Sequence, residues 1–194
     1  IAHTKKRLLT DLDEFIISEK PSEAFIHIAL ANINYNYYSR KELYLSSKKR
    51  ANNNNKIKYP ENFFTYRDSL DLNDNTLKNY YTYHQFINRY LDNLAYQGHT
   101  KKEPTFNKIS YEHQIQKLKL IDSLITNKQL HDNLLQNTVK RYLVHADDSQ
   151  KEHDLVVLFK NLDHNEAHQK EVERYAYNTS KINAGELIPN LALI

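Results

Sequence analysis

The chain has 194 residues and a net charge of +3 from 27 basic and 24 acidic side chains, and it contains no cysteine, methionine or tryptophan. Disulfides, thiolate metal centres and a cysteine nucleophile are thereby excluded, and the mixed, nearly balanced charge leaves no electrostatic footprint for nucleic acid or an anionic membrane. Only two glycines occur, where usage of roughly 7% would give about a dozen, so folds built on glycine turns or phosphate-cradling loops are disfavoured.

Leu, Ile, Val and Phe supply 51 of the residues, above the roughly 20% below which chains tend to stay disordered. Fifteen tyrosines supplement that core, each with an apolar ring and a hydroxyl that needs a partner or water. The longest apolar stretch, 25–33, is interrupted by His27 and Asn32 and is far shorter than the roughly 20 residues that span a bilayer. The first residue, Ile1, the lack of methionine and the apolar Leu191-Ala192-Leu193-Ile194 predict a segment cut from a longer protein, with any signal peptide or lipid anchor upstream.

Apolar residues recur at helical spacing along most of the chain. Residues 3–18 carry Leu8, Leu12 and Phe15 on one face and stop before Pro21, which suits the first turn of the next helix. Residues 23–47, aromatic and free of Gly and Pro, predict a long second helix. Lys48-Lys49-Arg50-Ala51 and the asparagines Asn52 to Asn55 predict an exposed loop, and residues 63–70 a short helix. The clearest pattern steps by three and four through Leu77, Tyr80, His84, Ile87, Leu91 and Leu94, with Lys78, Asn79, Asn88, Arg89 and Asn93 mostly on the other side. Asn73, Asp74 and Asn75 are its candidate caps, and Gly98 its left-handed stop.

After a connector at 101–107 that contains Pro104, three apolar stripes follow. They are Tyr111, Ile115, Leu118, Ile121 and Ile125; then Leu130, Leu134, Val139, Tyr142 and Leu143; then Leu155, Leu158, Phe159 and Leu162. A last helix begins at Asn165, turns Val172, Tyr175 and Ala176 inward and finishes near Lys181. Short links favour antiparallel neighbours. The expected fold is all-α, an antiparallel multi-helix bundle of helical hairpins with about seven or eight helices over residues 1–182. Residues 183–194 differ in character: Gly185 and Pro189 break the period before Leu191-Ala192-Leu193-Ile194, which reads as a linker entering a strand.

Candidate chemistry is sparse. His164 and His168, four apart with Asp163 and Glu171 nearby, have a spacing that can chelate zinc on one helix face. The zincin pattern places Glu directly after the first His, whereas here Glu166 stands two positions on, so two solvated histidines with at most adventitious zinc are expected. Lys48-Lys49-Arg50 beside Tyr35, Tyr37, Tyr38 and Tyr44 could contact nucleic acid. Without a wider basic excess, a buried aromatic face flanked by a charged loop is the better reading. Tyr80, Tyr81, Tyr83 and Tyr90 belong to or border a core stripe. The carboxylate pairs Asp68 and Asp71, Asp147 and Asp148, and Glu171 and Glu173 suit turns, caps or solvated surface. No nucleophile elbow G-x-S-x-G occurs. No catalytic, cofactor-binding or metal-binding residue is assigned.

Two stretches resemble one family. Leu70-Asp71-Leu72-Asn73-Asp74, with Leu77, Tyr80, Tyr83, Phe86-Ile87 and Tyr90-Leu91, resembles the helical region that precedes the thioredoxin module in TlpA-like thiol-disulfide oxidoreductases of the bacterial envelope. Gly185-Glu186-Leu187-Ile188-Pro189-Asn190-Leu191-Ala192-Leu193 resembles that family's approach to the module's first strand. The resemblance implies a periplasmic or envelope protein whose catalysis resides in a Trp-Cys-x-x-Cys motif with an acidified thiol. No such motif is present in this chain, so no catalytic residue carries over. The implied role is a non-catalytic N-terminal accessory domain that positions the redox module or contributes to partner choice. Its implied partners are its own C-terminal thioredoxin-like domain and client envelope proteins, with membrane contact only through an upstream anchor. The competing reading is a helical interaction scaffold of the envelope, although no period near the 34 residues of tetratricopeptide repeats is found. A DNA-binding helical regulator fits the balanced charge least.

Overall fold

The computed structural model describes residues 2–51 and 58–179. Among them are seven α-helices: α1 (Ala2–Glu19), α2 (Glu23–Ala51), α3 (Tyr81–His99), α4 (Tyr111–Leu124), α5 (Lys128–His145), α6 (Ser149–Leu162) and α7 (Glu166–Thr179), with two 3-10 turns at Glu61–Phe63 and Thr65–Ser69 between α2 and α3. The all-α expectation is met, as an antiparallel bundle of hairpins. The expected linker at 183–194, the end of the last helix near Lys181 and the asparagine run Asn52 to Asn55 lie outside the described residues.

Packing is largely serial. α1 lies on α2, α2 on α3, α3 on α4 and α4 on α5, after which α5, α6 and α7 close into a three-helix unit that α6 joins to α4. The apolar stripes read from the sequence meet in one core. Phe86, Ile87 and Leu91 of α3 pack with Leu118 and Ile121 of α4, Leu130, Leu134 and Val139 of α5, Leu155 and Phe159 of α6 and Val172 of α7. Full burial of each such side chain contributes about 1.5–3 kcal/mol relative to exposure.

Short polar side chains set the corners. Ser110, Asn127 and Asp148 accept from backbone N–H groups at the starts of α4, α5 and α6, which satisfies donors a helix start leaves open. At the end of α1, Lys20 adopts a left-handed φ of 49° and donates its N–H to Ile16, stopping the helix before Pro21.

The short helix expected at 63–70 is present, as 3-10 turns at Glu61–Phe63 and Thr65–Ser69. Three expectations need correction. Lys48, Lys49 and Arg50 are not in a loop: α2 continues to Ala51, since nothing in that basic run breaks a helix and Lys49 finds internal partners. α3 starts at Tyr81, not Leu77, and Leu77 is buried from a turn instead. Accordingly Asn73, Asp74 and Asn75 do not cap α3. Asn73 clasps the α4–α5 corner, where its Oδ1 accepts from the N–H groups of Thr126 and Asn127 while its Nδ2 donates to the Leu124 carbonyl.

Gly98 lies inside α3, with no left-handed φ, and a Cβ there would meet only the flexible end of Gln116 at 3.2 Å. The position therefore carries glycine's entropic cost without using its freedom. Gly98→Ala should raise stability by about 0.5 kcal/mol and the melting temperature by roughly 2 °C. A left-handed cap would instead make the same substitution destabilising, so a thermal melt decides between them.

Candidate functional site

α3 and α4 enclose a polar chain that their sequences place at one-turn spacings. Lys117, only 2% exposed, donates to Asp92 Oδ1 at 2.6 Å and to Asn88 Oδ1 at 3.2 Å. His113 Nε2 lies 3.4 Å from the same Asp92 oxygen, and its Nδ1 lies 3.1 Å from His99 Nε2. His99 Nδ1 is buried without a hydrogen-bond partner, 3.6 Å from Glu103 Oε2. Glu103 in turn accepts the hydroxyl of Ser110 and lines a polar cleft of about 400 Å³ with Glu112, Tyr142 and Asp147.

The charges fix the proton pattern along this chain. Burial works to raise the Asp92 pKa, yet the adjacent Lys117 ammonium and the bond from His113 hold it well below the usual carboxylate range. Burial lowers the Lys117 pKa against the pull of Asp92. An ionised Asp92 takes the His113 Nε2–H, so His113 Nδ1 accepts from His99 Nε2–H. His99 Nδ1 is left as an acceptor facing a carboxylate. His99 is lowered first by burial and then by His113, with Glu103 and Glu112 pulling the other way.

A second buried node joins α2 to α3. The Glu42 side chain is fully buried and accepts from Arg67 Nε at 2.9 Å, Arg67 Nη2 at 2.7 Å, the Tyr66 hydroxyl and Asn93 Nδ2 at 2.7 Å. Lys49 reaches the same region, 3.3 Å from Asn93 Oδ1 and over the Tyr96 ring. Its burial and the nearby Arg67 push its ammonium down to about 8, against Glu42.

A third cluster joins α5 to the start of α7. Asp163, at the end of α6, has a fully buried side chain; its Oδ2 lies 2.9 Å from His168 Nδ1 and its Oδ1 accepts from the Asn165 N–H at 2.9 Å. Asp132 of α5 sends Oδ2 to within 3.9 Å of the same His168 nitrogen, and accepts from Lys128 at 2.8 Å and from His131 at 3.1 Å. Burial would raise the Asp132 carboxyl, but the bonds from Lys128 and His131 hold it below its ordinary value.

The residues singled out from sequence are distributed unevenly among these clusters. His168 and Asp163 meet, but His164 is exposed in the link before α7 and shares no helix face with His168. Glu171 and Glu173 diverge to Lys140 of α5 and Lys160 of α6. Asp148 caps α6, Asp147 lines the cleft, Asp71 closes its own turn onto the Asn73 N–H and Asp68 is exposed. The basic triplet forms no common patch: Lys48 lies over Tyr44, Lys49 points inward and Arg50 lies over Phe106. Tyr35 and Tyr38 pack against Phe86 and Tyr66, and Tyr83 is buried while Tyr81 is exposed. Asp92, His99, His113, Lys117 and Asp132 were not marked by sequence. The available signal was spacing, since Asn88 and Asp92 on α3 and His113 and Lys117 on α4 each stand one helical turn apart.

Among the described residues, no helix is long and apolar enough to cross a membrane. Comparison with protein-family models, curated proteins and solved structures gives no match.

The histidine chain makes stability depend on pH in a defined direction. Because the folded pKa of His99 is depressed, the unfolded chain takes up that proton first as pH falls, so this contribution is complete above about pH 6.5 and declines below it. The groups facing His99 are His113 on α4, Glu103 and Glu112, together with the ring of Tyr96. Melts between pH 7 and 5 should show a falling midpoint, and His99→Gln should flatten that segment of the profile. An unchanged slope in the variant would assign the titration elsewhere.

Proposed function

We propose that this chain is the non-catalytic helical accessory domain of an envelope thiol-disulfide oxidoreductase, positioning a thioredoxin-like module or contributing to its choice of partner. The observation that carries the reading is the segment Gly185-Glu186-Leu187-Ile188-Pro189-Asn190-Leu191-Ala192-Leu193, which resembles the family's approach to the module's first strand and follows a cysteine-free helical body. A body without thiols offers nothing for misdirected exchange beside a reactive disulfide. Its strongest ionic groups support the same reading. Lys117 is used by Asp92 and Asn88, and Arg67 by Glu42, so these side chains stiffen helix contacts instead of presenting a nucleophile. The partners proposed are the C-terminal thioredoxin-like domain and client proteins of the periplasm or cell envelope.

Serial packing of the helices favours a second reading, a helical interaction scaffold of the envelope unrelated to redox chemistry. The reading frame beyond Ile194 separates the two. A Trp-Cys-x-x-Cys motif within a few dozen codons supports the redox reading, and a stop codon there contradicts it. The purified chain should show no turnover in an insulin-reduction assay, and measurable turnover would overturn the assignment.

A further inference from the structure

We infer that Asp132, Asp163 and His168 form a binding site for a divalent transition-metal ion of the zinc type, clamping α5 to the α6–α7 corner. One donor atom from each of these residues lies within 4.8 Å of the other two. The individual separations of 2.9 and 3.9 Å from His168 Nδ1 to the two carboxylate oxygens bracket the spacing of ligands around an ion bound at about 2.0–2.2 Å. Mixed imidazole and carboxylate donors suit zinc and its neighbours better than calcium or magnesium, which prefer oxygen alone.

Charge and orientation both favour an ion here. Asp163 is fully buried, and among the described residues its one ion-pair partner within 4.0 Å is His168; a buried carboxylate needs a compensating cation. Lys128 serves Asp132, but its own side chain is 76% exposed while that of Asp132 is 9% exposed, so the ammonium can turn to water and leave the carboxylate to another cation. With Lys128 turned to solvent, two carboxylates, a neutral imidazole and one divalent ion sum to zero. Each carboxylate already has its other oxygen held, by His131 Nδ1 in Asp132 and by the Asn165 N–H in Asp163, so Oδ2 of Asp163 and, once Lys128 releases it, Oδ2 of Asp132 face the shared centre. Outer partners of this kind orient ligands in metal sites. On binding, the ion takes the Nδ1 lone pair of His168 and the imidazole proton moves to Nε2, so the Asn165 amide nitrogen, 3.4 Å from Nε2, turns away as the ion enters. His168 keeps 29% of its side chain exposed, which gives the ion a route in. The three ligands come from α5, the α6–α7 link and α7, so a bound ion would add an inner tie to elements otherwise joined by core packing and by the ion pairs of Lys140 with Glu171 and Lys160 with Glu173.

The site differs from the His164 and His168 pair suggested by spacing alone, because His164 takes no part. Titration calorimetry of the whole chain with zinc chloride, paired with thermal melts in zinc and in chelator, tests it. One equivalent should bind, and the melting midpoint should be higher in zinc. His168→Gln should weaken binding by about tenfold or more, since it removes a direct ligand. Lys128→Ala should tighten binding by a few-fold, since it removes the competing ammonium, and His164→Gln should bind as the parent does. Lys128 is exposed, so its variant keeps the test independent of any folding defect in His168→Gln. Equal melting midpoints in zinc and chelator, wild-type affinity in His168→Gln, or an unchanged or weakened affinity in Lys128→Ala would each overturn the site.

Discussion

The buried carboxylate of Glu42 is the constraint on which the first half of the structure depends. It takes hydrogen bonds from Tyr66, Arg67 and Asn93, binding α2 to the 3-10 turns and to α3 through one charged group. Removing one partner from a buried ion pair typically costs about 3–5 kcal/mol, because the other charge is left uncompensated. The arrangement therefore specifies how α2 lies on α3 more than it adds net stability. Tyr38 stacks on Tyr66 at 4.7 Å and Lys41 sits 4.5 Å over the same ring, so the aromatic face of α2 is registered by that node.

α3 is consequently a helix without a wet face. On its α2 side it carries Asn93 and Arg89, whose guanidinium reaches Ser39. On its α4 side it carries Asp92, Asn88 and His99, and the apolar line of Phe86, Ile87 and Leu91 runs through the core. Periodicity correctly locates that apolar line, as it does the stripes of α4, α5 and α6, because each reports one face of a helix against a shared core. It misjudges the opposite side of α3, since polar residues there are paired internally with groups about 50 positions away, as Asn93 is with Glu42. Spacing within a helix contains no information about such partners.

The same limit governs the metal-type cluster and the caps. The sequence pairs His168 with His164 and places Asp163 nearby, whereas Asp132 joins His168 and Asp163 only because α5 and α7 pack side by side. Asn73 looked like a cap for the helix that follows it, but its amide is spent on the distant α4–α5 corner. Gly98 looked like a helix stop because glycine usually is one, yet α3 runs through it. Local rules located the helices and long-range hydrogen bonds chose the polar partners.

Taken together, the helices, the two buried nodes between α2, α3 and α4, and the Asp132, Asp163 and His168 cluster describe a helical body with several of its charged groups paired in the interior. That suits the proposed accessory role, in which the domain acts through position and surface. The most direct measurement compares the proposed parent oxidoreductase with and without residues 1–182, on a folded protein disulfide and on a small-molecule disulfide. The account predicts that deletion slows reduction of the protein client and leaves the small disulfide unaffected. Equal loss on both substrates, or no loss on either, would contradict it.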